Sequence, residues 1–180
     1  MSINTSPGTQ WQQIIVAVQK ELFCLDEDER RWIEQHLANI SELQQQLHQL
    51  FIRANGPGHC QKCLGSCCEL GNNHMTLVNV LSGLLQHNLP SANFSRTCPF
   101  LGDSGCTLQV ETRPFNCVTF ICDIIEDTLT SQDQKHFYLL ERQLREQYTA
   151  FDQRYMGSSL QGILIRSQSM SGNRFLAHRN

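Results

Sequence analysis

Eight of the chain's nine cysteines fall between Cys60 and Cys122; one, Cys24, precedes them and none follows. No other feature constrains this chain as much. Thiols concentrated in one stretch of sequence are cross-linked, bound to metal or used in redox chemistry. Four of the five prolines (Pro57, Pro90, Pro99 and Pro114) share that stretch, so turns should be frequent there. The N-terminus lacks the basic start, apolar core and small-residue cleavage site of a secretory leader, and a cytoplasmic location is expected. Disulfide frameworks belong to oxidising compartments. In reducing surroundings the expectation for clustered thiols is metal.

Composition narrows the alternatives. Hydrophobic residues make up 40% of the 180, enough for a modest core and too many for wholesale disorder. The longest apolar runs fall far short of the roughly 20 residues a membrane span needs. A formal charge of −3 argues against a general nucleic-acid binder, whose affinity rests on neutralising phosphate. The expected partners are therefore metal ions, with no nucleic acid and no membrane.

The flanks of the cysteine stretch have helical periodicity, which predicts a mostly α protein. Trp11, Ile14, Ile15, Val18 and Leu22 recur at the spacing of one helix face. Acidic residues at 26–29 then suit a helix N-terminus. From about Asp28, the positions Ile33, Leu37, Ile40, Leu47, Phe51 and Ala54 alternate in steps of three and four, widened by Leu43 and Leu50 and interrupted only by Gln44. Such a seam is a core face, or else, over residues 28–54, the contact of a short coiled-coil dimer or another protein partner with Gln44 setting register. Asn55-Gly56-Pro57-Gly58 should end this helix, with glycine taking the left-handed end position. A third, short helix is expected over 77–87. A long last one, capped by Thr130 or Ser131, carries Phe137, Leu140, Leu144, Tyr148, Phe151 and Tyr155 on one face and stops near Gly157. The expected organisation is a helical hairpin over 1–56, a loop-rich metal-binding region over 57–130, the long helix over 131–157 and a loosely docked tail over 158–180.

The cysteine stretch opens with His59-Cys60-Gln61-Lys62-Cys63-Leu64-Gly65-Ser66-Cys67-Cys68. Two cysteines separated by two residues wrap a turn that aims both sulfurs at one cation. Adjacent Cys67 and Cys68 diverge, so they serve two metals, or a larger cluster, or one of them simply packs. Thirty residues on come Cys98-Pro99-Phe100-Leu101, Gly105-Cys106, Arg113-Pro114-Phe115-Asn116-Cys117 and finally Cys122. Gathering this many thiolates is costly unless a cation holds them. Arg113 can lower that cost by donating to a sulfur or to a nearby carbonyl, or it pairs with Glu111 at the surface.

The order of these elements (close cysteines ending in a doublet, Cys-Pro-Phe-Leu, a lone cysteine, Arg-Pro-x-x-Cys) resembles the YkgJ-like cysteine-cluster family of zinc- or iron-chelating domains over about residues 57–122. The resemblance implies metal binding, with Cys60, Cys63, Cys67 and Cys68 as a first ligand group and Cys98, Cys106 and Cys117 as later ligands. This chain departs from the pattern in placing three residues between Cys63 and Cys67, and in having Gln109 and Val118 where the family has a tyrosine and an arginine. A subgroup in which Cys122 is the eighth ligand accounts for the departures.

Eight thiolates suit two closed tetrahedral zinc sites, or one four-iron four-sulfur (4Fe–4S) cluster with a further zinc or a redox pair. Their softness excludes magnesium and calcium. A mixed site using His59 or His74 would leave cysteines spare, though a histidine here also serves as a solvated or capping residue. No cysteine is marked out from the others as a nucleophile, and Gly56-Pro57-Gly58 lacks the lysine and length of a phosphate loop. The alternatives at this stage are a metal-binding module and an iron–sulfur enzyme or electron carrier, the latter with a possible link to methyl transfer.

Overall fold

The computed structural model describes residues 6–63, 66, 68–103, 105–170 and 172–179. The chain is mostly helical, with eight α-helices and one two-stranded hairpin among those residues. Helix α1 (Pro7–Phe23) starts where the Ser6 hydroxyl accepts the Thr9 amide and Pro7 fills the first turn, where its missing N–H costs nothing. Its Trp11, Ile14, Val18 and Leu22 are buried. Helix α2 (Glu27–Arg53) starts at Asp26, whose carboxylate accepts the Glu29 amide at 2.8 Å. Three acidic residues in its first turn favour the positive end of the helix dipole.

The stripe along α2 buries Ile33, Leu37, Ile40, Gln44, Leu47 and Leu50 against helix α7 (Ser131–Arg154) and the 3-10 turn Val110–Thr112. On α7 the buried stripe is Phe137, Leu140, Leu144, Tyr148 and Phe151, and Tyr155 follows it as the C-terminal cap. Each fully buried side chain of this size contributes about 1.5–3 kcal/mol before entropy is counted. The seam is thus filled within one chain, including Gln44, whose Nε2 donates to the Arg113 carbonyl at 2.7 Å. A coiled-coil dimer through residues 28–54 would need the same face. Helix α4 (Leu77–Leu85) is buried around most of its circumference, as a helix apolar on all sides must be.

Two expectations need correction. The left-handed residue after α2 is Asn55, with φ of 51°, and not a glycine; asparagine tolerates this region better than most side chains. Gly56 is needed for another reason, since a Cβ there would overlap the Phe51 ring. The chain then restarts as helix α3 (Gly56–Lys62), with Pro57 in its first turn, where proline is no breaker.

The tail is also not loose. Helix α8 (Ile163–Gln168) buries Ile163, and Met170, Phe175 and Leu176 join the common core. Glu21 accepts the amides of Phe175 and Leu176 at 3.0 and 2.7 Å, and Arg179 reaches Asp152 at 2.7 Å. Among the described residues Ile163, Leu164, Met170, Phe175 and Leu176 carry this docking, too irregularly spread to form a periodic stripe.

A buried carboxylate ties the tail to both long helices. Glu29 accepts from Arg154 Nε and Nη2 at 2.8 and 2.5 Å, from the Tyr155 hydroxyl, and lies 3.1 Å from His178 Nε2. The Arg154 guanidinium also stacks over Trp32 at 4.4 Å. Hydrogen bonding from Arg154 outweighs burial and holds the Glu29 carboxyl at about 2.

Candidate metal centre

The cysteine stretch forms short pieces. Cys60 lies half-buried in α3, and Cys63 caps its C-terminal end with Sγ 3.5 Å from the Cys60 carbonyl. Helix α3 lies against α6 (Asp123–Glu126), which Cys122 precedes as the N-terminal cap. Cys67 lies outside the described residues. Cys68 opens the 3-10 turn Cys68–Asn73. Cys106 stands on strand β2 (Gly105–Cys106), opposite Leu101 of β1 (Leu101–Gly102). Gly105 takes φ of +118°, where a side chain would be strained. Cys117 sits in helix α5 (Phe115–Thr119).

These pieces bring part of the expected ligand set together. Cys117 lies near enough to Cys106, Cys98 and Cys68 for their charges to act on it. The His74 Nδ1 atom lies 3.5 Å from Cys117 Sγ. A Cβ on Gly71 would stand 3.3 Å from Cys98 Sγ and 3.7 Å from His74 Nδ1, so the bare glycine backbone forms one wall of the group. Cys60, Cys63 and Cys122 belong to the neighbouring α3–α6 pair. No disulfide joins Cys24, Cys63, Cys98, Cys106, Cys117 or Cys122. Among the described residues, no three His, Cys, Asp or Glu side chains converge as closely as a single ion requires. The soft donors are gathered, then, but in this arrangement not closed on one point.

The electrostatics follow from the crowding. Burial pushes the Cys117 thiol up to about 12, and the like charges of Cys106, Cys98 and Cys68 add to this while Arg113 opposes it. Water still reaches this residue from one side, so its protein neighbours crowd the sulfur without sealing it. Cys98 is raised mainly by burial; the Phe100 and Leu101 amides oppose this by hydrogen bonding toward its sulfur, and Cys106 reinforces it. Amides aimed at sulfur favour the thiolate, which is what the Cys98-Pro99-Phe100-Leu101 turn offers a cation. Burial lowers His74 and keeps its imidazole neutral.

Surrounding elements hold the group from outside. Asn79 Nδ2 donates to the Arg113 carbonyl and the Tyr148 hydroxyl, both at 3.0 Å, and its Oδ1 accepts the Thr76 amide at 3.0 Å. Burial drives the Tyr148 phenol upward, so it stays protonated. The buried Oε1 of Gln44 has no hydrogen-bond partner among the described residues. Arg113 donates to the Leu108 carbonyl at 3.3 Å, while Glu111 accepts from Gln45. Of the readings of Arg113, donation to a carbonyl is the one observed.

Several of these residues gave no signal in sequence. Gly71 is one glycine among eleven, and its neighbours become visible only in three dimensions. Asn79 does carry a signal: a polar residue inside Leu77-Val78-Asn79-Val80-Leu81 has to be satisfied internally. Cys24, the cysteine apart from the cluster, caps α1 and is exposed.

No protein-family model, curated protein or solved structure matches this chain. No helix among the described residues is long and apolar enough to cross a membrane.

Proposed function

We propose that this chain is a metal-binding protein that holds zinc or iron through the thiolates of two cysteine groups. The observation that carries the reading is the gathering of Cys98 and Cys117, from separate segments, around Gly71 and His74, with Cys106 near enough for its charge to act on Cys117. Packing alone has no use for mutually repelling thiolates, whereas a soft cation offsets that repulsion. Cys60, Cys63 and Cys122 on the α3–α6 pair supply a second group, with Cys67 and Cys68 in the segment between. When bound, the metal would supply structural cross-linking of short segments. Kinship with YkgJ-like chelating domains and residence in a reducing cytoplasm belong to the same proposal and rest on motif order and cysteine usage. With the seam of residues 28–54 filled by α7, a second copy or other protein partner would have to use another face.

Anaerobic purification with elemental analysis and a visible absorption spectrum tests the reading. Colourless protein with about two zinc ions per chain is the expected outcome. Brown protein with equal iron and sulfide moves the assignment to the alternative, a 4Fe–4S enzyme or electron carrier. Protein that neither carries nor takes up zinc or iron defeats both.

A further inference from the structure

Three of the chain's seven histidines have an evident place away from the thiols. His36 bonds to Gln147 at 2.8 Å, His48 stacks on Phe51, and His178 belongs to the Glu29 cluster. His74 differs: its ring nitrogen Nδ1 points at sulfur. The Nδ1 to Cys117 Sγ separation is 3.5 Å. In a tetrahedral zinc site, a Zn–S bond of about 2.3 Å and a Zn–N bond of about 2.0–2.1 Å place sulfur and nitrogen about 3.6 Å apart. Two ligands are therefore already spaced as two corners of such a site. The same nitrogen and Cys98 Sγ both lie within 4 Å of the point a Gly71 Cβ would occupy.

The fold also fixes where His74 stands. Ile163 donates its amide to the Met75 carbonyl at 2.6 Å, and Gly162 packs so tightly on Asn73 that a Cβ would collide with its carbonyl oxygen. The backbone on both sides of His74 is thus clamped by the start of α8. A solvated or capping histidine needs no such clamp.

We propose that His74 completes a mixed sulfur–nitrogen zinc site with Cys98, Cys106 and Cys117. The inference rests on the metal-binding reading above and adds to it a ligand outside the cysteine pattern and a choice of metal. A Cys3His donor set is a closed structural zinc site, whereas a 4Fe–4S cluster would draw four cysteines. His74 and Cys117 already have the required spacing; since the four side chains do not meet at one point in this arrangement, binding would require Cys98 and Cys106 to turn toward them. Cys60, Cys63, Cys68 and Cys122 then remain for the second group.

The test uses the full-length protein loaded with zinc, and with cobalt(II) as a spectroscopic probe. X-ray absorption at the zinc edge should show imidazole nitrogen alongside sulfur in the unmodified protein, a measurement that needs no variant to fold. His74→Ala should remove the imidazole signal and weaken zinc binding at one site by about 100-fold or more, since even outer partners of a ligand are worth roughly 10–100-fold. His74→Cys should restore the stoichiometry with a purely sulfur shell. A sulfur-only shell in the unmodified protein, with zinc held equally by His74→Ala, overturns the His74 assignment and leaves metal binding standing. An imidazole signal abolished by His59→Ala but retained in His74→Ala overturns it too. Failure of the unmodified protein to take up zinc or cobalt overturns this inference together with the reading beneath it.

Discussion

The α2–α7 frame and the cysteine stretch over 57–122 solve the folding problem in different ways. The frame consists of helices of 27 and 24 residues whose buried stripes, apolar but for Gln44, meet each other. In the cysteine stretch the helices α3 and α5 have seven and five residues, too short to persist alone. Its cysteines are half-buried or exposed wherever they are described. What order it has is borrowed: Asn79 and Gln44 hold the Arg113 carbonyl, and α8 holds the backbone around His74. Helix α4 belongs by position to the stretch and by burial to the frame. Burial makes the frame self-sufficient, whereas the stretch depends on its neighbours.

The largest effect should come from removing metal. Chelation of the metal-loaded protein should abolish amide protection in 57–73 and 98–122, while α2, α4 and α7 keep theirs. In small zinc domains the metal contributes on the order of 10–16 kcal/mol. Hydrogen exchange measures this directly, and unchanged protection in the stretch after complete metal removal would falsify a structural role for metal.

The reciprocal experiment attacks the frame. Phe151 is fully buried and meets Trp32 edge-on at 5.0 Å. Phe151→Ala should cost about 3–5 kcal/mol in urea unfolding followed by circular dichroism. Metal per chain at low temperature should stay at the unmodified level; if it falls with stability, the two regions are not separable.

Acid should loosen the frame before anything else. The Glu29 carboxyl sits at about 2 in the folded chain against an ordinary 4.5, held down by its hydrogen bonds from Arg154. A depressed carboxyl stabilises the fold above its unfolded value, and that stability is lost as pH falls from about 4.5 toward 2. The loss amounts to roughly 3 kcal/mol. Stability measured against pH should decline through this window, and Glu29→Gln should flatten the decline; an unaltered slope in the variant would show that Glu29 is not its source.

Gly162→Ala places a methyl group against the Asn73 carbonyl, so the backbone on one side must shift. A cost of about 1–3 kcal/mol is expected from such overpacking, together with weaker zinc uptake through the displaced His74. Equal zinc affinity in Gly162→Ala and the unmodified chain would separate the tail from the metal centre. The smallest effect belongs to Cys24, exposed at the end of α1. Cys24→Ser should change stability by no more than about 0.5 kcal/mol and leave metal content as it was; elemental analysis beside Cys117→Ser, which should lose metal, makes the contrast.

The sequence by itself determined the frame. Trp11, Ile14, Val18 and Leu22, then Ile33, Leu37, Ile40, Leu47 and Leu50, and the stripe from Phe137 to Tyr155 are buried as their spacing required, while Ile15, Leu43 and Phe51 at the margins are half-buried. Hydrophobic periodicity is local, so it can be counted along the chain. The caps at Asp26 and Thr130 were legible for the same reason. The cysteine segments were visible as a class of chemistry, but their grouping was not. That Cys117 stands among Cys106, Cys98 and Cys68, that His74 rather than His59 points at its sulfur, and that Gly71 must be bare depend on segments up to 49 positions apart. The docked tail was hidden likewise, because Ile163, Met170, Phe175 and Leu176 follow no helical or strand period. Such contacts are set by how separate elements close on one another, and only the tertiary structure decides them: spacing along a chain encodes which face of a helix is apolar, but not which distant side chain that face will meet.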